Sequence, residues 1–257
     1  MMLGGDDRYG DGMTRQRRLL LAGASGCAAD DLTAARAVRI HMAVRSCCNP
    51  RGCDDFFGDK FARRVAKRYR KRGLDKTAGR IVAFLEREGV ETASVLEIGG
   101  GVGEIQLELL KRGAVSAVNL ELSAAYDAEA RELLREAGID ESRVTRRLHD
   151  IAEDPDGVEP ADLVVLHRVV CCYLDYERLL SAAAARAGRL LVFSHPPRNV
   201  AARAFIRVQN LGLRLSRKEL RTYAHPPEAM LEVCRASGLR TTYAHAGVVW
   251  HVEGLSR

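Results

Sequence analysis

The sequence predicts an α/β fold: a doubly wound, largely parallel sheet ended by an antiparallel C-terminal hairpin and preceded by a helical N-terminal cap. Three observations predict it. From Ser94 to Phe193 short apolar runs alternate with amphipathic stretches, a pattern that implies parallel strands joined by right-handed crossovers, with helices on both faces. The runs Arg240–Ala246 and Val248–Gly254 are separated by little more than Gly247, which is hairpin spacing. Ahead of the alternation stand two helix-patterned segments with no strand between them.

Residues 1–42 mix Gly, Asp, Arg and Ala without a sustained period and read as a weakly ordered extension, with Met13 and Met42 each offering a later start. Residues 43–257 then form the domain, of which 43–90 are the helical cap and 196–226 an inserted lid. Phe57, Phe61, Val65 and Tyr69 recur every four residues, placing an apolar stripe on a helix that runs from about Asp54 to Gly73. A second helix follows from about Asp75 to Glu88, with Ile81, Val82, Phe84 and Leu85 facing inward and Gly89 as its cap. The strands are Ser94–Ile98, Ala117–Glu121, Val144–Leu148, Leu163–His167 and Arg189–Phe193, and further helices cover Gly103–Arg112, Ala124–Ala137 and Pro227–Ser237.

The chain has 257 residues, 47% hydrophobic and 29% charged, a balance that suits one soluble globular domain and excludes wholesale disorder and fibrous classes. No apolar run approaches the roughly 18 residues of a membrane span. Seven cysteines without a signal peptide suggest a reducing cytoplasm, where clustered thiols act as ligands, reactive groups or core residues. The net charge of +6 is local: Lys60 to Arg72 holds eight basic residues and no acid, leaving the remainder at about −2.

The sharpest motif is Glu97-Ile98-Gly99-Gly100-Gly101-Val102-Gly103, at a strand-to-helix junction. Glycines let the backbone turn tightly and approach a nucleotide closely. The next strand ends at Glu121, where a carboxylate can accept hydrogen bonds from both ribose hydroxyls. A third strand ends at Asp150-Ile151, placing Asp150 for the exocyclic amine of an adenine and Ile151 against its ring.

This E-x-G-x-G-x-G run, the strand-terminal acid Glu121 and then Asp150 resemble the class I S-adenosylmethionine-dependent methyltransferases, over roughly Ser94 to Phe193 and the closing hairpin. The resemblance implies a Rossmann-like sheet of seven strands and S-adenosyl-L-methionine as cofactor. It implies that Glu97 and Gly99 lie near the methionine end, while Gly101 and Gly103 shape the loop.

In open α/β sheets the ligand crevice lies at the carboxyl ends of the strands. Acceptor-site candidates are therefore Leu166-His167-Arg168 with Val169-Val170-Cys171-Cys172-Tyr173 after the fourth strand, and Ser194-His195-Pro196-Pro197 after the fifth. Methyl transfer needs alignment and, for a protonated acceptor, a base. His167 and His195 suit that task, with His167 also available to the cofactor. Tyr173 and Cys172 are further catalytic candidates.

The flanks Cys47-Cys48-Asn49-Pro50-Arg51-Gly52-Cys53, the basic helix and the segment after His195 resemble the magnesium-protoporphyrin O-methyltransferases, with Asn49 and Gly52 matching an N-terminal motif. That family has a tyrosine where this chain has Cys47 and a histidine where it has Cys172, so its porphyrin acceptor is not carried over. The same departure raises an alternative: Cys47, Cys48, Cys53, Cys171 and Cys172 converging as a thiolate site for a metal or metalloid, as in arsenite methyltransferases. Cys27 and Cys234 read as incidental.

The Lys60–Arg72 helix reads as a solvated face or as a surface for an anionic substrate or membrane, the latter supported by the amphipathic, basic Ala201–Leu215 run. Nucleic acid, and with it RNA methylation, is the weaker alternative because aromatic residues are only 5% of the chain. The expected acceptor is a small, apolar molecule with an anionic or ionisable group, held among Tyr69, His167, Tyr173, His195 and Ala201–Leu215.

Overall fold

The computed structural model describes residues 56–257. The expected N-terminal extension and Cys27, Cys47, Cys48, Asn49, Gly52 and Cys53 lie outside the described residues.

Two helices precede the sheet, α1 (Asp59–Arg72) and α2 (Lys76–Glu88). Alternation follows: β1 (Ser94–Ile98), α3 (Glu104–Lys111), β2 (Ser116–Glu121), α4 (Asp127–Glu136), β3 (Val144–Leu148), β4 (Ala161–Leu166), α5 (Tyr176–Arg186), β5 (Ala187–His195), α6 (Val200–Leu215), α7 (Pro227–Ala236), β6 (Arg240–Ala246) and β7 (His251–Ser256). The seven strands form one sheet in the order β3-β2-β1-β4-β5-β7-β6. β7 is antiparallel to both β5 and β6, and the remaining pairs are parallel.

The central strands of the sheet are buried on both faces, which is why they read as near-continuous apolar runs, whereas the edge strands β3 and β6 bury no residue. On one face Val95, Leu163, Val165 and Val192 pack against Ala62 and Ala66 of α1, Ile81 and Leu85 of α2, and residues of α3 and α4. On the other, Leu96, Val164, Leu166 and Phe193 pack against Leu179 and Leu180 of α5 and Met230 and Cys234 of α7. Each fully buried Leu or Phe contributes about 2–3 kcal/mol of hydrophobic stabilisation. α2 also seats on the terminal hairpin: the Phe84 and Tyr243 rings stack at 4.8 Å. A Cβ on Gly254 would come 2.6 Å from the Phe84 ring, so β7 needs glycine where α2 crosses it.

Several boundaries differ from the sequence reading. The hairpin turn is four residues long, because Val248 and Val249 stand in the loop at 93% and 64% exposure rather than in β7. The Ala124–Ala137 helix divides into a 3-10 turn at Ala124–Tyr126, capped by Ser123, and α4. α5 has no counterpart among the helices read from sequence: its Leu-Leu-Ser-Ala-Ala-Ala-Ala stretch carries no clear apolar period, and its clearest signal is Asp175, whose side chain accepts a hydrogen bond from the Arg178 N–H at 3.0 Å. Among the described residues no helix is long and apolar enough to cross a membrane.

Candidate active site

The carboxyl ends of β1, β2 and β4 open into a cavity of about 240 Å³. One wall is the glycine loop. Gly99, Gly101 and Gly103 all have positive φ, 63°, 55° and 80°, the left-handed conformation that side chains disfavour. A Cβ on Gly99 would also lie 2.5 Å from a Val169 methyl, and one on Gly100 would lie 2.3 Å from the Asn119 amide and 2.8 Å from the Glu97 carboxyl carbon. The loop thus turns so tightly that only bare backbone fits, leaving its concave side to a ligand.

Acidic groups face that concavity. Glu121, at the end of β2, accepts a hydrogen bond from Gly101 N–H at 2.7 Å and from its neighbour Leu122 N–H at 2.9 Å. Glu97 accepts from Gln106 N–H at 3.1 Å, the first turn of α3. Arg146 ties the loop to α4, its guanidinium donating to the Gly101 carbonyl and to Asp127, each at 2.9 Å. Asp150 receives the Tyr173 hydroxyl at 3.0 Å. Ile151 is buried beside it. Glu97, Glu104, Glu121 and Asp150 all line the cavity, and burial is the main reason that each has its carboxyl pushed above the ordinary range. Beneath the loop, the Asn119 side-chain amide is buried with neither polar atom hydrogen-bonded. A close-approach cradle and a ring of buried carboxyls fit a nucleoside ligand bearing positive charge, which S-adenosylmethionine is by virtue of its sulfonium and ammonium groups.

The opposite wall is built from distant elements. Asp75 caps α2, accepting from Thr77 N–H at 2.8 Å and Ala78 N–H at 3.0 Å. Its carboxylate also pairs with Arg168 at 2.8 Å and lies 3.8 Å from both Arg68 and the His167 Nε2. Burial alone would raise its pKa, but neighbouring His167, the Ala78 N–H and Arg168 hold it well below the usual carboxylate range. His167 is buried, which lowers its pKa and leaves the ring neutral near pH 7. Its Nδ1 lies 3.0 Å from the Ser194 hydroxyl, which also accepts from the Arg168 N–H at 2.9 Å. Arg168 has φ 61° and its guanidinium covers the Trp250 ring at 5.1 Å. Phe57, Phe61, Val65 and Arg68 of the N-terminal segment complete this wall.

Of the residues singled out from sequence, Glu97, Gly99, Gly101, Glu121, Asp150, Ile151, His167, Cys172 and Tyr173 line one cavity, and Gly103 caps α3 at its rim. Tyr69, His195 and the Ala201–Leu215 run do not. Tyr69 turns away from the cavity and donates its hydroxyl to Glu108. His195 sits on the sheet face opposite its neighbour Ser194 and points at His251 and Glu253 of β7. α6 buries only Ile206 and leaves Phe205, Val208, Leu211 and Leu215 exposed. The basic helix is in part ion-paired: Arg70 binds Glu129 and Glu136, and Arg68 faces the cavity. Asp75, Glu104 and Asn119 escaped notice as site residues in the sequence, and Arg68 was noted only as part of the basic helix; of the first three only Asp75 carried a signal, as a helix cap.

Among the described residues the thiol alternative is represented by one pair, since Cys47, Cys48 and Cys53 lie outside them. Cys171 and Cys172 bring their sulfurs to 3.6 Å, and contact with Cys171 together with burial pushes the Cys172 thiol well up. That favours thiol over thiolate, which is the ligand a soft metal needs.

A family profile for the methyltransferase domain matches residues 64–244. No curated protein matches the chain in sequence. Among solved structures it is similar to magnesium protoporphyrin IX methyltransferase from Synechocystis PCC 6803 with bound S-adenosylhomocysteine, at TM-score 0.59 and 19% identity over 71% of this chain and 82% of that one. It is also similar to an O-methyltransferase family 2 protein from Planctomyces limnophilus complexed with apigenin, at TM-score 0.57 and 17% identity over 77% and 61%. A putative RNA methyltransferase from Pyrococcus horikoshii superposes less well, at TM-score 0.50 and 14% identity over 72% and 84%. The chain belongs to the methyltransferase domain family, as a class I, S-adenosylmethionine-dependent methyltransferase.

Proposed function

We propose that the protein transfers the methyl group of S-adenosylmethionine to a small, apolar acceptor carrying an anionic group. The observation that carries this reading is the lining of the cavity: the aromatic rings of Phe57 and Phe61 and the guanidinium groups of Arg68 and Arg168 share it with the acidic glycine cradle. Phenyl rings favour an apolar body by area burial. Arginine presents a planar fork matched to a carboxylate or phosphate.

The cofactor supplies an electrophilic methyl group. The chain's own residues do the rest. The glycine loop and Glu121 hold the ribose, Asp150 the adenine amine, with Tyr173 steering the Asp150 carboxylate. The cavity's buried carboxyls favour the cationic end. His167, with Ser194 at its Nδ1 and Asp75 3.8 Å from its Nε2, accepts a proton from the acceptor. Cys172 contributes a polarisable wall. The solvated basic face of α1 and the exposed apolar stripe of α6 serve approach of the acceptor, as lid or anionic-surface contact.

The test is an acceptor panel of aromatic acids paired with their neutral amides, assayed with wild type and Arg168→Ala. The acids are expected to react with a KM about 10–100-fold below that of the amides, a preference worth ~1.5–3 kcal/mol for a charge-assisted contact, and Arg168→Ala is expected to abolish it. Equal KM values for acids and amides in the wild type overturn the anionic-acceptor reading.

A further inference from the structure

We infer that His195, His251 and Glu253 form a binding site for one divalent first-row transition metal, zinc being the reference case, outside the cofactor cavity. The antiparallel β5–β7 pairing places His195 directly opposite His251 and Phe193 opposite Glu253. Because side chains of a strand alternate between faces, His251 and Glu253 share one face and His195 joins them. One ligand atom from each of the three lies within 4.8 Å of the others, His195 Nε2 being 3.7 Å from a Glu253 carboxylate oxygen.

The hydrogen bonding of His195 singles this cluster out from an ordinary surface group. Its Nδ1 lies 3.0 Å from the Pro196 carbonyl. A carbonyl only accepts, so Nδ1 carries the hydrogen and the neutral ring keeps its lone pair on Nε2. Metal-binding imidazoles are commonly fixed in this way, with the second nitrogen donating to a carbonyl. That Nε2 is buried and has no hydrogen-bond partner, and the side chain is only 2% exposed. A lone pair aimed at a carboxylate, away from water, needs a positive centre between them. The neighbouring His225 has its Nε2 committed to the Tyr173 carbonyl at 2.9 Å and does not compete for that place, and His245 of β6 pairs with Val252, whose side chain alternates to the other face from His251.

Two imidazoles and one carboxylate are a donor set that zinc and its first-row neighbours accept and magnesium or calcium do not favour. Ligand atoms about 2.1 Å from a tetrahedral ion lie roughly 3.4 Å apart, so the observed separations close by side-chain rotation of the half-buried His251 and of Glu253, without shifting the strands. Three protein ligands leave one position open, at the carboxyl end of β5 beside the Pro196-Pro197 entry to α6. The site neither depends on methyl transfer nor uses the cofactor cavity.

The experiment uses the full-length chain, stripped with a chelator and titrated with Zn²⁺ by calorimetry and with Co²⁺ by absorption. One equivalent is expected to bind, with visible d–d bands of a nitrogen and oxygen ligand field and no thiolate charge-transfer band in the near ultraviolet. His251→Ala and the near-isosteric Glu253→Gln are each expected to weaken binding about 10–100-fold or more, while thermal unfolding of the metal-free proteins stays close to wild type for at least the second. Binding unchanged in both variants, a thiolate charge-transfer band that tracks the bound metal, or failure of the stripped protein to take up either ion at micromolar concentration overturns the proposal.

Discussion

At the β1–β3 end of the cavity most polar contacts join residues within 97–150: Glu121 to Gly101, Glu97 to Gln106, Arg146 to Gly101 and Asp127, with Tyr173 to Asp150 reaching beyond them. At the β4–β5 end they join α1, α2, the start of α3 and the ends of β4 and β5: Arg168 to Asp75, Arg68 to Glu104 and Asp75, His167 to Ser194. The first end needs only consecutive strand-helix units in their right-handed order. The second exists only when the N-terminal cap has docked across the completed sheet. On the proposed assignment, a cofactor end written locally and an acceptor end assembled over long range can vary separately, which is the physical sense in which one fold serves many acceptors.

The largest expected effect breaks the local end. Glu121→Ala removes the carboxylate proposed to hold the two ribose hydroxyls and also the acceptor of the Gly101 N–H. Charge-assisted hydrogen bonds contribute about 1.5–3 kcal/mol each, so affinity for S-adenosylmethionine is expected to fall at least about 100-fold in a calorimetric titration. Arg168→Ala, at the other end, is expected to leave that affinity within about twofold. Equal losses in the two variants would dissolve the distinction between the ends.

That asymmetry also explains what was legible in the sequence. The Glu97–Gly103 motif with Glu121 and Asp150 is a contiguous βαβ pattern, and the strand-helix alternation around it fixes where each of those residues emerges. Nothing local announces that Arg168 adopts a positive φ and folds onto Asp75, some ninety residues earlier, or that β7 brings Glu253 to His195. The same gap misplaced Tyr69. Its four-residue period marked the buried face of α1 correctly, but a period does not say whether that face meets the cavity or the flank of α3. α5 was missed for a related reason: three consecutive alanines, Ala182 to Ala184, bury without leaving an apolar rhythm.

A smaller effect concerns protons. The carboxyls of Glu97, Glu104, Glu121 and Asp150 are all pushed up, burial being the main cause in each case. A cation binding among them favours their ionised forms, so affinity for S-adenosylmethionine is expected to rise with pH through those raised values, with protons released on binding. Calorimetry in two buffers of different ionisation enthalpy measures the number released. Proton uptake, or affinity that falls as pH rises across the acidic range, would contradict the charge complementarity assigned to this end. The acceptor end, with its arginines, is expected to contribute little to that release.

The smallest effect isolates α1 from the chemistry. The Tyr69 hydroxyl donates to Glu108, which also binds Arg112 and Lys111. Burial would raise the Glu108 pKa, but these three partners outweigh it and hold the carboxyl down at about 2. A depressed folded-state value means stability that is present above the unfolded carboxylate pKa and drains away as pH falls toward 2. Tyr69→Phe removes one of those partners while keeping the ring, at an expected cost of about 1 kcal/mol near neutral pH, or a Tm lower by about 2–4 °C. The gap to wild type is expected to narrow as the unfolding is followed down through the acidic range. KM for cofactor and acceptor is expected to stay within about twofold, since Tyr69 touches neither end of the cavity. A Tyr69→Phe enzyme with wild-type stability but a raised acceptor KM would return that residue to the acceptor wall and make the docking of α1, rather than the guanidinium groups it carries, the source of specificity.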